Sequence, residues 1–241
     1  MLGLGNLLSR GKVLGFPNKY SFNFDGSNDY LDLGSNPELN TIGHVGQSWS
    51  VSLWFKCGEQ SSNVGLFSNA ENGNNEFQIL IRSGASSTTH GGKVKAHTYN
   101  SSTGQADVDS VARYNDNNWH HVVVVLNTSD NTIKLYIDND GEVLSDTWDK
   151  YTTGTSLIPS IGYRGYGNYF DGLIDEVAIW NTALSASDIA KIASKPLNLS
   201  KASAYDTDRT SNLKLWLRAG DKILPEEDAS IARSDFYTDF D

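Results

Sequence analysis

Short alternating runs of apolar and polar residues dominate the chain between Tyr20 and Ile179. The run WSVSLWFK, residues 49–56, has an apolar side chain at every odd-numbered position, so one face of this strand would be buried and the other exposed. Clusters of Gly, Asn, Asp and Ser separate the runs, and helical periodicity is nearly absent. This pattern predicts an all-β sandwich or barrel.

Seven strands stand out from the alternation. They are Ser21–Phe24, Trp49–Lys56, Phe77–Ile81, Lys93–Tyr99, Trp119–Leu126, Thr132–Ile137 and Leu173–Ile179. Residues 122–126 are apolar throughout, which predicts a central strand covered on both faces. The polar segment 127–131 tolerates turn geometry, so we expect the strands on either side of it to form a hairpin.

One helix is predicted near the end of this region. Ser185 and Asp188 have the spacing of a capping box, in which each satisfies a backbone N–H of the other, and Pro196 ends the helix. We therefore divide the chain into an N-terminal arm (1–18), a sandwich (19–194) and a C-terminal extension (195–241). Leu213–Leu217 alternates like a strand, but the extension is too short to fold alone. We expect it to dock on the sandwich or on a partner.

Composition narrows the choice of partners and environment. The 29 acidic and 19 basic residues give a formal net charge of −10, which disfavours binding to nucleic acid or to an anionic membrane. Cys57 is the single cysteine, so an intrachain disulfide is excluded. The N-terminal arm is interrupted by glycines and by Arg10 and Lys12, unlike a signal peptide, and no segment is apolar enough to span a bilayer. We expect a protein made in a cytoplasm and not inserted in a membrane.

Five motifs follow one another in an order that resembles a known superfamily. They are FDGSNDYL (24–31), WSVSLWF (49–55), NWHHV (118–122), KLYID (134–138) and FDGLIDEV (170–177), the last followed by WNTALS (180–185). Their order resembles the laminin G-like branch of the concanavalin A-like lectin/glucanase superfamily, which has pentraxin-like jelly rolls. The resemblance implies two antiparallel sheets packed face to face, with the FDG and IDEV strands close together. The expected fold is thus an all-β jelly-roll sandwich with one short C-terminal helix and extended N- and C-terminal segments.

A shorter resemblance concerns the segment SNLKLWLRAGD, residues 211–221. It is similar to a segment that follows such domains in tailed-phage structural proteins, although Trp216 stands alone where that pattern has a Trp pair. This implies a non-enzymatic structural or adhesion protein of a phage particle, located in a virion assembled in the host cytoplasm. Its partners would be other virion proteins or copies of itself in a homo-oligomer. The alternative is a carbohydrate-binding module that recognises host-surface glycans.

The adjacent carboxylates Asp175 and Glu176 raise the possibility of a glycoside hydrolase, which needs two carboxyl groups flanking one bond. Neighbours in a regular strand project to opposite faces, so this pair would not share a substrate. The same alternation separates His120 from His121. We therefore predict no catalytic residues and no enzymatic activity.

A structural calcium ion is the cofactor that the resemblance implies. Asp25 and Asp29 provide carboxylates in a turn that Gly26 allows to bend sharply, and calcium prefers oxygen ligands. If the related fold brings Asp175 beside this turn, the four residues would form a metal site. The alternative is that Asp25 and Asp29 make only local hydrogen bonds to the turn.

The loop GYRGYGNY, residues 162–169, is the best candidate for sugar recognition. Tyr163, Arg164, Tyr166, Asn168 and Tyr169 would provide aromatic faces for stacking and polar groups for hydroxyls. The alternative is a long connection whose tyrosines pack on the sheet.

Overall fold

The computed structural model describes residues 21–34, 36–71, 75–84, 89–100, 104–138, 144–147, 159–194, 211–217 and 219. The strands are β1 (Phe22–Asp25), β2 (Leu31–Asp32), β3 (Trp49–Lys56), β4 (Val64–Glu71), β5 (Asn75–Ile81), β6 (Val94–Asn100), β7 (Gly104–Asp109), β8 (His120–Asn127), β9 (Thr132–Ile137), β10 (Leu144–Thr147), β11 (Ser160–Ile161), β12 (Asp171–Trp180) and β13 (Leu213–Leu217), with helix α1 (Ala186–Ser194). A 3-10 turn covers Leu39–Thr41. In these ranges no helix is long and apolar enough to cross a membrane. The N-terminal arm lies outside them.

Two antiparallel sheets pack face to face. In the described part of the chain, the first sheet has the order β1-β12-β3-β8-β9-β10, with β13 also paired to β12, and the second has the order β2-β11-β4-β5-β6-β7. One large apolar cluster fills the space between them. The predicted all-β jelly-roll sandwich with a short helix is confirmed.

The predicted pairings within the first sheet are also present. Strand β8 lies between β3 and β9, so the apolar run 122–126 is central, and β8 and β9 form the expected hairpin. Strand β1 pairs with β12, with Phe24 opposite Gly172, and this brings the FDG and IDEV motifs together.

Strand β3 differs from its predicted half-buried state. Its odd-numbered side chains enter the core between the sheets as expected, but Ser50 and Ser52 on the other face are also buried. Ser50 Oγ donates to the carbonyl of Thr182, and Ser52 Oγ is 2.8 Å from His121 Nε2. The second face is covered because a second apolar cluster, which includes residues of α1, lies on it. Alternation in the sequence could not show this cover.

Helix α1 begins with the predicted capping box. The backbone N–H of Asp188 donates to Ser185 Oγ at 3.2 Å, and the N–H of Ser185 donates to Asp188 Oδ2 at 3.0 Å. Ile189 and Ile192 point into the cluster on the outer face of the first sheet, where Trp180 is almost fully buried. The cap therefore fixes the start of the element that covers this face.

The described part of the C-terminal extension belongs to the sandwich. Strand β13 pairs antiparallel with β12, Leu217 being opposite Val177 and Trp216 opposite Ala178. Strand β1 pairs with the other half of the same edge, from Asp171 to Ile174. Strands β13 and β1 thus run in the same direction, end to end, along one side of β12.

Candidate functional site

The two adjacent carboxylates lie in an irregular part of β12. The register against β3 shifts between Asp175 and Ala178, and Glu176 has a positive φ of 51°. Ile174 and Val177 both join the inner core, although regular alternation would place them on opposite faces. This β-bulge inserts one extra residue, so the simple alternation used to separate Asp175 from Glu176 does not apply.

Both carboxylates bind the C-terminal segment. Glu176 Oε2 accepts a hydrogen bond from Trp216 Nε1 at 2.7 Å, and Asp175 Oδ1 accepts one from the backbone N–H of Ala219 at 2.9 Å. Both acidic residues are almost completely buried. Their contacts hold β13 and the residue after it against β12, which is a structural role.

The adjacent histidines also have separate environments. His120 Nδ1 is 2.7 Å from Asp138 Oδ2, and His120 Nε2 is 2.9 Å from Asp116 Oδ1. Burial opposes protonation of His120, but these two carboxylates outweigh burial and raise its pKa. His121 is enclosed on the other face of β8, stacked on Trp54, and burial lowers its pKa to about 3. The two rings do not share a site.

The residues proposed for calcium do not converge on one point. Asp25 Oδ1 accepts hydrogen bonds from the N–H groups of Ser27 and Asn28, and Asp29 Oδ2 accepts one from the N–H of Asp25. These are the local turn bonds of the alternative interpretation. The backbone N–H of Ser27, together with the neighbouring N–H groups, lowers the pKa of Asp25, and burial opposes this shift. Asp25 lies opposite Asp171, not Asp175.

Asp175 lies four residues beyond Asp171 along β12, a separation of about 13 Å in a strand. The set Asp25, Gly26, Asp29 and Asp175 therefore does not fit a single ion. Among the described residues, no group of three or more His, Cys, Asp or Glu side chains could hold a metal. Calcium binding by this chain stays a prediction.

The Gly162–Tyr169 loop carries a cluster of stacked tyrosines. The rings of Tyr163 and Tyr169 stack with centroids 4.8 Å apart, and Tyr30 packs against them at 5.1 Å and 6.2 Å respectively. The Arg164 N–H donates to the carbonyl of Asn168, which closes the loop. Tyr30 immediately precedes the edge strand β2, so these ring contacts join the loop to that side of the second sheet, in line with the alternative in which the tyrosines pack on the sheet.

The same loop crosses the outer face of the second sheet. A Cβ on Gly65 of β4 would lie 2.4 Å from the carbonyl oxygen of Tyr163, so glycine is needed there for the loop to approach. Gln78 Nε2 of β5 donates to the carbonyl of Arg164 at 3.0 Å. Tyr166, at the tip, is 58 % exposed, and its hydroxyl donates to Glu76 Oε1 at 3.3 Å.

A row of polar residues runs across this outer face, one from each strand of the second sheet. Consecutive members are directly opposite one another in the register. The polar row consists of Asp32, Ser160, Ser68, Gln78, His97 and Asp107. Their neighbours along each strand face the inner core. The loop covers the middle of the row, and its Asp107 end is partly exposed.

A second, shorter line lies beside the polar row, at a corner where Tyr166 and Gln105 are exposed, Tyr99 is half-buried and Glu76 is buried. Glu76 lies opposite Tyr99, and Tyr99 lies opposite Gln105, on the face that also holds His97. With Tyr166 above Glu76, two aromatic rings, a carboxylate and an amide meet there. We call these four residues the Tyr166 corner. The glycine-rich loop indicates Tyr166 from the sequence, whereas the other three residues were not predicted. Their signal is the alternation of polar side chains in strands 75–81, 94–100 and 104–109.

Electrostatic contacts link the Tyr166 corner to the polar row. His97 Nε2 is 3.6 Å from Glu76 Oε2, and His97 Nδ1 is 2.6 Å from Asp107 Oδ1. Burial opposes protonation of His97, but the hydrogen bonds with Asp107 and Glu76 outweigh it and raise the pKa of the ring. Lys95 completes the group, 2.8 Å from Asp107 Oδ2.

Solved structures similar to this chain include three domains of larger proteins. Domain 4 of AbnA, an extracellular arabinanase from Geobacillus stearothermophilus in complex with arabinotriose, is 24 % identical with a TM-score of 0.50, over 63 % of this chain and 69 % of that one. The CBM40 of a Ruminococcus gnavus sialidase is 15 % identical with a TM-score of 0.56, over 73 % and 97 %. The receptor-binding domain of botulinum neurotoxin D is 18 % identical with a TM-score of 0.55, over 75 % and 45 %.

At these identities the likenesses establish the fold alone. No curated protein matches the sequence. A family model, Laminin_G_3, described as concanavalin A-like lectin/glucanases superfamily, matches residues 25–190. This match covers more than half of the 241 residues. The chain therefore belongs to the Laminin_G_3 family of the concanavalin A-like lectin/glucanases superfamily.

Proposed function

We propose that this protein is a non-catalytic carbohydrate-binding domain whose ligand contacts the Tyr166 corner. The observation that carries the proposal is the exposed ring of Tyr166, fixed by its hydroxyl to Glu76 next to Tyr99 and Gln105. Aromatic faces with a few fixed polar groups are the usual composition of a small-molecule site. Tyrosine provides a large contact area at a low cost in side-chain entropy.

The remaining predicted loop residues have supporting roles in this proposal. Tyr163 and Tyr169 stack within the loop and with Tyr30, so they position Tyr166. Asn168 Nδ2 donates to the carbonyl of Gly165 and shapes the tip. Arg164 is anchored through its backbone to Gln78.

The structural neighbours support the proposal at the level of class. One of them is a CBM40, and another, an arabinanase domain, was solved in complex with arabinotriose. A non-catalytic role agrees with the contacts of Asp175 and Glu176, which are buried against the C-terminal segment.

Binding of the full chain to an array of oligosaccharides tests the proposal. Tyr166→Ala and Tyr99→Ala should each weaken binding about tenfold or more, because truncating a central aromatic contact costs about 2 kcal/mol. Tyr136→Ala, on the outer face of the first sheet, is the matched control and should bind like the parent protein. Melting curves establish that all variants are folded. Wild-type affinity in both site variants would contradict the proposal.

The role in a phage particle stays a prediction. The N-terminal arm, on which it partly rested, is outside the described residues, and Leu213–Leu217 pairs with its own β12 instead of a partner. We expect deletion of residues 1–18 to leave the sandwich folded but to prevent incorporation into an oligomer or particle. Normal assembly of the truncated protein, measured by light scattering and co-purification, would contradict this prediction.

A further inference from the structure

We infer that the ligand of the Tyr166 corner carries an anionic group, and that the guanidinium of Arg164 binds this group. The inference rests on the proposed function and specifies the class of saccharide, which is an acidic one with a carboxylate or a sulfate. It follows from the environment of Arg164, which lies in the same loop as Tyr166, two residues before it.

The backbone of Arg164 is fixed on the outer face of the second sheet. Its carbonyl accepts a hydrogen bond from Gln78 Nε2 of β5 at 3.0 Å, and its N–H donates to the carbonyl of Asn168 at 3.0 Å. A Cβ on Gly65 of β4 would lie 2.9 Å from Arg164 Cα, so the loop lies directly on the sheet at this residue. The position of Arg164 above β4 and β5 is therefore well defined.

The guanidinium of Arg164 lacks an acceptor among the described residues. Its Nε is buried without a hydrogen-bond partner, and the two Nη nitrogens make no hydrogen bond or ion pair with any residue in this part of the chain. The residue is partly exposed and only Nε is a buried unpaired atom, so the Nη end is open to solvent. A partly buried charge without a counter-ion is unfavourable. An anion bound at the Nη nitrogens would remove this cost.

The acids of the neighbouring strands do not pair with Arg164, because each acidic side chain of β5, β6 and β7 contacts another base. These contacts are Glu76 with His97 at 3.6 Å, Asp107 with Lys95 at 2.8 Å and Asp109 with Arg82 at 3.3 Å. Lys93 directly precedes β6 and has no ion pair among the described residues. Since Val94 joins the inner core, Lys93 lies on the outer face. Arg164 and Lys93 are thus bases beyond those that the acids contact.

Arg164 is close enough to the Tyr166 corner for one ligand to contact both. Gln78, which binds the carbonyl of Arg164, and Glu76, which accepts the Tyr166 hydroxyl, are two positions apart on the same face of β5. Two positions along a strand correspond to about 7 Å. A short oligosaccharide that stacks on Tyr166 can therefore place an acidic group at the Nη nitrogens. A planar guanidinium binds such an oxyanion through two parallel N–H donors.

Paired saccharides test the inference on the full chain by titration calorimetry. The pairs are lactose with α2,3- or α2,6-sialyllactose, lactose with sulfated lactose, and a galacturonic acid trimer with its uncharged methyl ester. We expect the acidic member of at least one pair to bind about tenfold or more tightly than the neutral one, because hydrogen bonds to charged groups are the strong ones. The pair that shows the preference identifies carboxylate or sulfate as the group bound. The preference should weaken at high salt.

Three variants identify the group responsible. Arg164→Gln should bind both members of the pair about equally, and Arg164→Lys, which keeps the charge but not the planar pair of donors, should retain part of the preference. The matched control is Lys134→Gln on β9 of the first sheet, which removes one positive charge from another face and should keep the full preference. Melting curves establish that all variants are folded.

The possible outcomes separate this inference from the proposed function. Neutral saccharides that bind alone, or as tightly as the acidic members of every pair, would overturn the inference and leave carbohydrate binding intact. A preference for acidic members that persists unchanged in Arg164→Gln would overturn the role of Arg164. Binding to no saccharide, whether of these pairs or of the array, would refute the proposed function itself.

Discussion

The hydrogen bond between Glu176 and Trp216 attaches the C-terminal strand β13 to β12. The carboxylate is buried and accepts the indole N–H at 2.7 Å, so the C-terminal strand provides a donor to a buried acceptor of the sandwich. A buried acceptor that loses a donor is costly because water cannot replace it.

Trp216→Phe tests this contact. The substitution keeps most of the apolar ring and removes the N–H, so the free energy of unfolding should fall by about 1–3 kcal/mol. Urea unfolding of both single variants and the double variant with Glu176→Met, which removes the acceptor, gives the coupling energy of the pair. Strictly additive effects would show that the hydrogen bond contributes nothing.

His120 should make stability depend on pH. Its pKa is raised in the folded state, because Asp138 and Asp116 outweigh the effect of burial. Its stabilising contribution is therefore complete below the unfolded-state pKa of about 6.5, and it is lost as the pH rises through the higher folded-state value. His97 has a raised pKa as well and acts in the same direction.

His120→Gln isolates the first contribution. Melting temperatures measured from about pH 5.5 to pH 8.5 should decline less in this variant than in the parent protein. His121 stays neutral over this range because burial lowers its pKa to about 3. Identical pH profiles for variant and parent would contradict the assignment.

At the scale of elements, strands with a clear apolar pattern were predictable, and strands whose pattern is interrupted by glycine and polar residues were not. The prediction for 49–56 gave the correct bounds, whereas β4 was missed because Gly65, Ser68 and Asn69 interrupt its apolar pattern. Asn69 is buried and donates to the carbonyl of Ile42, whereas Gly65 and Ser68 lie on the outer face of β4, under the loop and in the polar row. Such contacts join residues about a hundred positions apart, which local sequence does not reveal.

The bulge in β12 was unpredictable for a related reason. Glu176 adopts a positive φ, which glycine or asparagine would have signalled but glutamate does not. The proposed site was predictable at one of its four residues. Tyr166 was found in its glycine-rich loop, and Glu76, Tyr99 and Gln105 were not, since only the register brings them beside it.

Helix α1 gives an element-scale prediction through its capping box. Ser185→Ala removes the acceptor for the Asp188 N–H and should reduce the free energy of unfolding by about 1 kcal/mol. Ser185→Thr is the matched control, because threonine keeps a hydroxyl at the cap and should retain most of the stability. Denaturant unfolding measures both. Equal losses in the two variants would show that packing, not capping, determines the effect.

At the scale of the whole molecule, the proposed site and the described ends of the chain belong to different sheets. The Tyr166 corner is on the second sheet, while Phe22 and Leu217 pair with β12 in the first. A ligand can therefore be bound on one side without disturbing the strands next to either terminal segment.

The end-to-end placement of β13 and β1 also means that chain order is not essential to the sheet. Ala219 binds Asp175, and Phe22 lies opposite Ile174, so the two described ends meet beside consecutive residues of β12. A Gly/Ser linker of about six residues, spanning about 13 Å, should join them. New termini can then be opened in the exposed turn between Ser129 and Asp130.

Such a circular permutant should fold to the same sandwich, with an unchanged circular dichroism spectrum and retained ligand binding. The control is the chain cut at the same turn without the linker, whose two fragments must associate before they fold. A permutant that remains unfolded would show that β13 and β1 have to pair with β12 as two separate strands. A folded permutant would show that β13 and β1 can act as one continuous strand beside β12, although they are far apart in the sequence.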